Sequence, residues 1–469
     1  DETESRAEEP TGEPDKSSGD DKSEEIATVQ KKVDYCKSAV FFVSAIHRAM
    51  ETVMELLDSK AVTDVQEAIG FIVSADVFKV EKTVAGVRKM MMLVWSKNQA
   101  IKDHVIEAYK TLFLQRPADG VPRQQKAMAV ADALINLVHG ATLGEVTSLE
   151  EIVTDMVKQD HIKDSTLSAL WSIFGGSDKA QSQAALMLLS MAANAKPKLI
   201  EKNLGKLIAV CLARNLTTEA DNRLARHACV ALQKLQPLGL QLPANHQLFE
   251  ALYSVLLVKE ETIQQCNRNA FDQSWFAAAE QVLNTVFMLC AEPEEFCSSV
   301  IRALGATVSK KGGTAVSKRG LTRVLFVVGH TAVKQFVYVE TVSSKMKKDA
   351  DAAEKKKDEK KQAHKDSGAP GSPRGLEAEL GIAAAIEEGQ MEEIREMAEA
   401  EILSSMNLIG RFSGMIVSLC STAYRSKKGG DAVCSQLPQN VREVAVLALC
   451  KLMATSSQFC EPNLQLLMT

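Results

Sequence analysis

Residues 309–323 read Ser-Lys-Lys-Gly-Gly-Thr-Ala-Val-Ser-Lys-Arg-Gly-Leu-Thr-Arg. Lys310, Lys311, Lys318, Arg319 and Arg323 put five cations into this stretch, and it contains no acid. Cations on a glycine-containing loop suit phosphate, because contact with a nucleic-acid backbone needs charge and reach but little sequence-specific geometry. The same composition also fits an ordinary solvated surface loop, or one that grips an acidic face of a protein partner. A second basic site, Arg425, Lys427 and Lys428, is shorter. There the favoured expectation is a helix end, where cations offset the helix dipole. The lysines of 345–361 alternate with Asp and Glu and read as a solvated helix or linker.

Catalytic patterns are missing. The glycine pairs at 175–176 and 312–313 lack the spacing of a phosphate-cradling loop, and there is no Gly-x-Ser-x-Gly elbow or His-Glu-x-x-His pair. The ten cysteines form no Cys-x-x-Cys pair, and most sit in apolar helical runs, so they read as small buried hydrophobes in a reducing compartment. His227 reads as a packed or partly buried residue. Trp95, Trp171 and Trp275 lie at helical spacing among apolar residues, which predicts core packing, with partner anchoring as the alternative. The sequence therefore predicts no enzyme, no cofactor and no metal.

The elements that must carry these residues are helical. Hydrophobic residues make up 46% of the 469 residues, charged residues 25% and aromatics 5%. Leu, Ala, Met, Lys and Glu are abundant, and straight-chain residues lose little side-chain freedom on a helix. The net charge is -5, but residues 1–25 hold eleven acids and three bases. The remainder is mildly basic, so the overall acidity does not exclude nucleic acid. The acidic opening is unlike a signal peptide, no apolar stretch approaches membrane-spanning length, and the last residues stop inside an apolar helical pattern, as a piece of a longer protein would.

Residues 1–25 carry too little apolar surface to offset the entropy of ordering, which predicts a disordered acidic tail and structure from about Ile26. Amphipathic helices are expected at 34–57 and then at about 80–95, 98–114, 122–139, 148–159, 163–174, 178–194, 198–213, 219–235, 245–258, 270–290 and 293–308. A capping box, Thr63 to Gln66, is expected to open another. Short links make neighbours antiparallel. Residues 184–208 align without gaps on 444–468, matching Ala185 with Ala445, Leu189 with Leu449, and Asn203-Leu204 with Asn463-Leu464. Each copy is a small-residue helix, a turn and a leucine helix, the unit of an armadillo or HEAT array. The expected fold class is all-α, an α-solenoid of antiparallel HEAT helix pairs. Its expected segments are the tail at 1–25, an array at 26–345, a charged linker at 346–376 that is disordered or partly helical, and further repeats at 377–469. Ser372, followed by Pro373, is a candidate phosphorylation site.

Four stretches then carry a family resemblance. TVMELLDSKAVTDVQEAI at 52–69, LVWSK at 93–97, GLEAELGIAAAIEEGQMEEIREMAEAEIL at 375–403 and the terminal LALCKLMATSSQFCEPNLQLLMT resemble, in family order, the D-type HEAT-repeat subunits of condensin. Assignment to condensin I over its condensin II counterpart rests mainly on 52–69. The resemblance implies a non-catalytic scaffold in mitotic chromosome condensation. It implies binding to the kleisin subunit, an SMC ATPase head and double-stranded DNA, with no membrane role, in nucleus, cytoplasm and mitotic chromosomes. Residues 52–95, where the match is densest, become the expected dock for the SMC head, and the basic loop an expected contact to DNA or that head. The alternative is a karyopherin-type nuclear transport receptor or another HEAT-repeat adaptor, which a GTP-dependent pull-down would distinguish.

Overall fold

The computed structural model describes residues 17–115, 122–213, 216–258, 268–308, 317–362, 392–427 and 438–467. Lys310, Lys311, Lys428 and Ser372 lie outside them. Among the described residues there is no strand, only one isolated bridge between Leu242 and Cys290. The fold is all-α and of the HEAT-repeat class. No described helix is long and apolar enough to cross a membrane. The chain divides into two compact units, Asp1–Lys163 and Asp164–Thr469.

The first unit contains α1 (Ser17–Leu56), α2 (Val62–Val77), α3 (Thr83–Met90), α4 (Gln99–Tyr109), α5 (Arg123–Val138) and α6 (Leu143–Lys158). Helix α1 begins at Ser17, nine residues before the expected start of structure at Ile26. The Asp- and Ser-rich start is compatible with helix because acids and small polar residues favour the first turn. The capping box expected at Thr63 does not form. Helix α2 is preceded by Ala61 without a side-chain cap, and Gln66 Nε2 instead reaches the Ala100 carbonyl at 3.5 Å. Ser59 does the local work, donating to Asp64 Oδ2 at 3.0 Å and accepting from Ala61 N. A complete capping box does open α6, between Thr142 and Glu145. Arg88 of α3 ties that helix start down through Glu145 at 3.2 Å and the His139 carbonyl at 2.9 Å.

The second unit contains α7 (Asp164–Phe174), α8 (Lys179–Ala193), α9 (Lys198–Glu201), α10 (Leu204–Leu207), α11 (Glu219–Gln233), α12 (Gln247–Leu256), α13 (Arg268–Leu289), α14 (Pro293–Val308), α15 (Lys318–Gln362), α16 (392–402), α17 (Gly410–Lys427), α18 (Gln439–Thr455) and α19 (Ser457–Asn463). Helices α8, α11, α13, α15 and α18 pack side by side in that order, with α7, α14 and α17 against α8, α15 and α18. Small residues let this row close up. A Cβ on Gly329 of α15 would lie 2.9 Å from Ala448 Cα of α18, so the two backbones meet where no larger residue fits.

Helix α15 runs to Gln362 and crosses the expected start of the linker at 346. Residues 346–362 are thus helical; residues 363–376 lie outside the described residues.

Candidate functional site: the basic segment and its anchor

The expected basic cluster divides into two kinds of cation. Helix α14 ends at Val308, and Ser317 N donates to the Val308 carbonyl at 3.2 Å. Ser317 Oγ accepts from Gly320 N at 3.1 Å and caps the start of α15. The next helical turns then fix where Lys318, Arg319 and Arg323 go.

Arg319 donates from Nε and Nη2 to Asp272 Oδ2 of α13, at 3.0 and 2.8 Å. Arg323, one turn on, is 5% exposed. Its Nη1 donates to the Val258 carbonyl at 2.9 Å, its Nη2 lies 3.8 Å from Asp272 Oδ1, and its guanidinium sits 4.7 Å from the Trp275 ring centroid. Trp275 is itself held by its indole N–H, which donates to the Val255 carbonyl at 3.2 Å. The sequence groups both arginines with the lysines at the contact surface. The structure instead commits them to Asp272, Trp275 and the end of α12. A planar guanidinium is suited to this role, since it stacks on an aromatic face while bonding in its own plane. Lys318 is exposed at the first turn of α15. The anchor is hidden from the sequence because its acid, Asp272, lies 47 residues away from Arg319.

Beside this anchor lies a cleft of about 730 Å³ between α13, α15 and α18. Gln273, Asn440 and Glu443 supply amide and carboxylate groups, and Phe276, Phe326 and Leu447 supply apolar surface. Side-chain amides both donate and accept, so such a wall can pair with an extended main chain. Sequence reasoning misses it because the residues of α18 lie more than a hundred positions from those of α15 that they meet.

Of the second basic site, Arg425 and Lys427 lie on α17 and Lys428 is outside the described residues. In the first unit, residues 52–95 present Val77, Phe78, Val84, Met92 and Trp95 at 52–82% exposure. For Trp95 the sequence predicts a place in the core. It stands instead at the end of a 3-10 turn, Met91–Trp95, whose tighter winding moves it off the buried face of α3. Its indole N–H donates to Ser148 Oγ of α6 at 2.9 Å. Trp171 and Trp275 are buried, at 8% and 1%. His227 is partly buried and meets Gln183 Nε2 at 3.2 Å. Among the described residues no His, Cys, Asp and Glu group could hold a metal ion.

No protein-family model matches the chain. Condensin complex subunit 1 of Xenopus laevis is 29% identical over 457 residues, 93% of this chain and 32% of that protein. The CAP-D2 subunit of the condensin-1 complex of Arabidopsis thaliana is 28% identical over 91% of this chain and 30% of its own length. Condensin complex subunit 1 of Saccharomyces cerevisiae is 27% identical over 93% of this chain and 39% of its own. A crystal structure of importin beta, 14% identical, covers 90% of this chain and 56% of that one at a TM-score of 0.32, a likeness too slight to bear on function. The chain spans about a third of the length of the curated relatives it matches. The resemblance carried by the four landmark stretches thus extends over more than nine-tenths of the chain, and it is to condensin complex subunit 1.

Proposed function

We propose that this chain is a non-catalytic scaffold segment of condensin, acting in mitotic chromosome condensation by binding the kleisin subunit, an SMC ATPase head and double-stranded DNA. The observation that carries this reading is the similarity to condensin complex subunit 1 across nearly the whole chain. The side-by-side row of helices in the second unit supports it, because stacked helix pairs offer extended surfaces for a partner chain. ATP chemistry belongs to the SMC partner in this reading. The place of action is the nucleus and the mitotic chromosome, with a cytoplasmic pool.

Within that reading Lys310, Lys311 and Lys318 contact phosphate or an acidic face of the SMC head, with Arg425, Lys427 and Lys428 as a secondary basic site. Arg319 and Arg323 act through the anchor and keep the base of the segment in place. Residues 52–95, with exposed Phe78 and Trp95, are the candidate SMC-head dock.

The test is a salt-titrated binding assay of the chain against duplex DNA, with and without kleisin. Salt-steep binding that strengthens with kleisin supports the reading. The combined changes Lys310→Glu, Lys311→Glu and Lys318→Glu should weaken binding and flatten its salt slope by about 0.9 for each phosphate no longer neutralised. An unchanged slope removes the segment from DNA binding; kleisin binding without any DNA affinity leaves an architectural or head-docking role.

A further inference from the structure

The turn between α8 and α10 carries a feature that the repeat itself does not require. Lys196, Lys198 and Lys202 rim a cleft of about 700 Å³ whose walls include Leu167, Trp171 and Leu199. The one acid on the rim, Asp164, is 3.2 Å from Lys196. Lys198 and Lys202 form no ion pair among the described residues. Trp171 is 8% exposed, and its indole N–H has no hydrogen-bond partner among the described residues. Lys206 is occupied with the fold: its Nζ donates to the Trp171 carbonyl at 2.5 Å and lies 5.7 Å from that ring's centroid.

The second copy of the repeat shows what the turn needs. Asn203 Nδ2 donates to the Leu199 carbonyl at 2.9 Å, and its counterpart Asn463 donates to the Phe459 carbonyl at 2.8 Å. The same bond closes both turns. Yet the positions of Lys196, Lys198 and Lys202 are held in the second copy by Ser456, Gln458 and Pro462. The turn forms without the lysines, so folding does not account for the cationic rim.

We propose that this cleft is a docking site for an acidic peptide segment of a partner protein, one that carries a large apolar side chain beside its carboxylates. The lysines meet the carboxylates, and Leu167, Trp171 and Leu199 receive the apolar group. Charge complementarity selects the acid, and the concave apolar wall selects a peptide over a nucleic-acid backbone, which has no apolar group to place there and would meet Asp164 at the rim. The proposal does not depend on the 309–323 segment.

The experiment is selection of random short peptides displayed on phage against the full 469-residue chain, followed by anisotropy titration of the enriched peptides and of duplex DNA. Each is repeated on the chain carrying Lys198→Glu and Lys202→Glu. Both lysines are exposed, and a circular dichroism melt checks that the variant folds. Enrichment of acidic peptides with one large apolar residue, bound about tenfold more weakly by the variant and more weakly in high salt, is the expected result. The proposal is overturned if no peptide is enriched, if the enriched peptides lack acids, or if the variant binds them equally. Loss of DNA binding in the variant, with no peptide selected, would assign the cleft to nucleic acid instead.

Discussion

The two copies of the repeat, 184–208 and 444–468, share a chain plan but not an environment. In the first copy α8 is packed by α7 and α11, and Leu186 is 0% exposed. In the second, α18 is the last described helix of the row, and the matching Val446 is 41% exposed. The shared inward positions are alike: Ala185 and Ala445, Leu189 and Leu449 are all buried to within 1%. Where the first copy buries Met191, the second places Lys451, whose Nζ is 3.2 Å from His330 Nδ1 and 4.6 Å from the Phe326 ring centroid. Each first helix also meets one partly or fully buried histidine of a neighbour, Gln183 with His227 and Lys451 with His330. A repeat thus keeps the positions that define its own fold and is free to vary those that meet its neighbours.

The largest expected effect tests that statement directly. Leu186→Ala should cost about 3 kcal/mol, because it empties a packed site, whereas Val446→Ala should cost under about 1 kcal/mol. Urea midpoints of the two variants measure this, and equal losses would break the comparison.

Acid should expose the histidine pairs next. Burial, reinforced by Arg226 and Arg223, lowers His227 to about 4. Burial, reinforced by Lys451 and Lys334, lowers His330 to about 3. Both lie below the ordinary value of 6.5. The unfolded chain therefore binds protons more readily, so the stability these groups permit is complete above about pH 6.5 and is lost as pH falls toward their folded values. Replacing both by glutamine should flatten the fall in urea midpoint between about pH 6.5 and pH 5; an unaltered profile would remove the histidines from the acid response.

The turn bond predicts a matched pair of smaller effects. Asn203→Ala and Asn463→Ala should each cost about 1 kcal/mol, the worth of one net hydrogen bond. A cost in only one copy would show that the turns are not equivalent. Smallest of all, Lys198→Gln, which installs the residue type of position 458, should leave stability within about 0.5 kcal/mol. A larger loss in a thermal melt would return the lysine to the fold and weaken its assignment to a ligand.

Much of the helical organisation is legible in the residues themselves. The helices expected between 80 and 308 follow α3 to α14 in order, except that the one expected at 198–213 is broken into α9, α10 and a π-helical turn at Ile208–Leu212; the order is legible because a 3.6-residue apolar period and the breaks at Pro197, Pro237, Pro243 and Pro293 are local signals. The misses are also instructive. Thr63 has the pattern of a capping box, but Ser59 bonds Asp64 in its place. Trp95 sits at helical spacing, but a 3-10 turn changes the spacing. Arg319 and Arg323 look like part of an exposed cationic run, because nothing near them in sequence is acidic. Asp272 and Trp275 reach them only when α13 and α15 pack.

Residue types and their local spacing were enough to establish the all-α class, the repeat and the family resemblance. Each of these depends on patterns that span only a few helical turns. Packing alone settled that Arg319 and Arg323 turn inward, which wall α13, α15 and α18 build together, and that Lys196, Lys198 and Lys202 rim a cleft walled by Leu167 and Trp171. Those outcomes depend on side chains that meet across tens to more than a hundred residues, and helical periodicity says which face of a helix is apolar but not which neighbour will cover it.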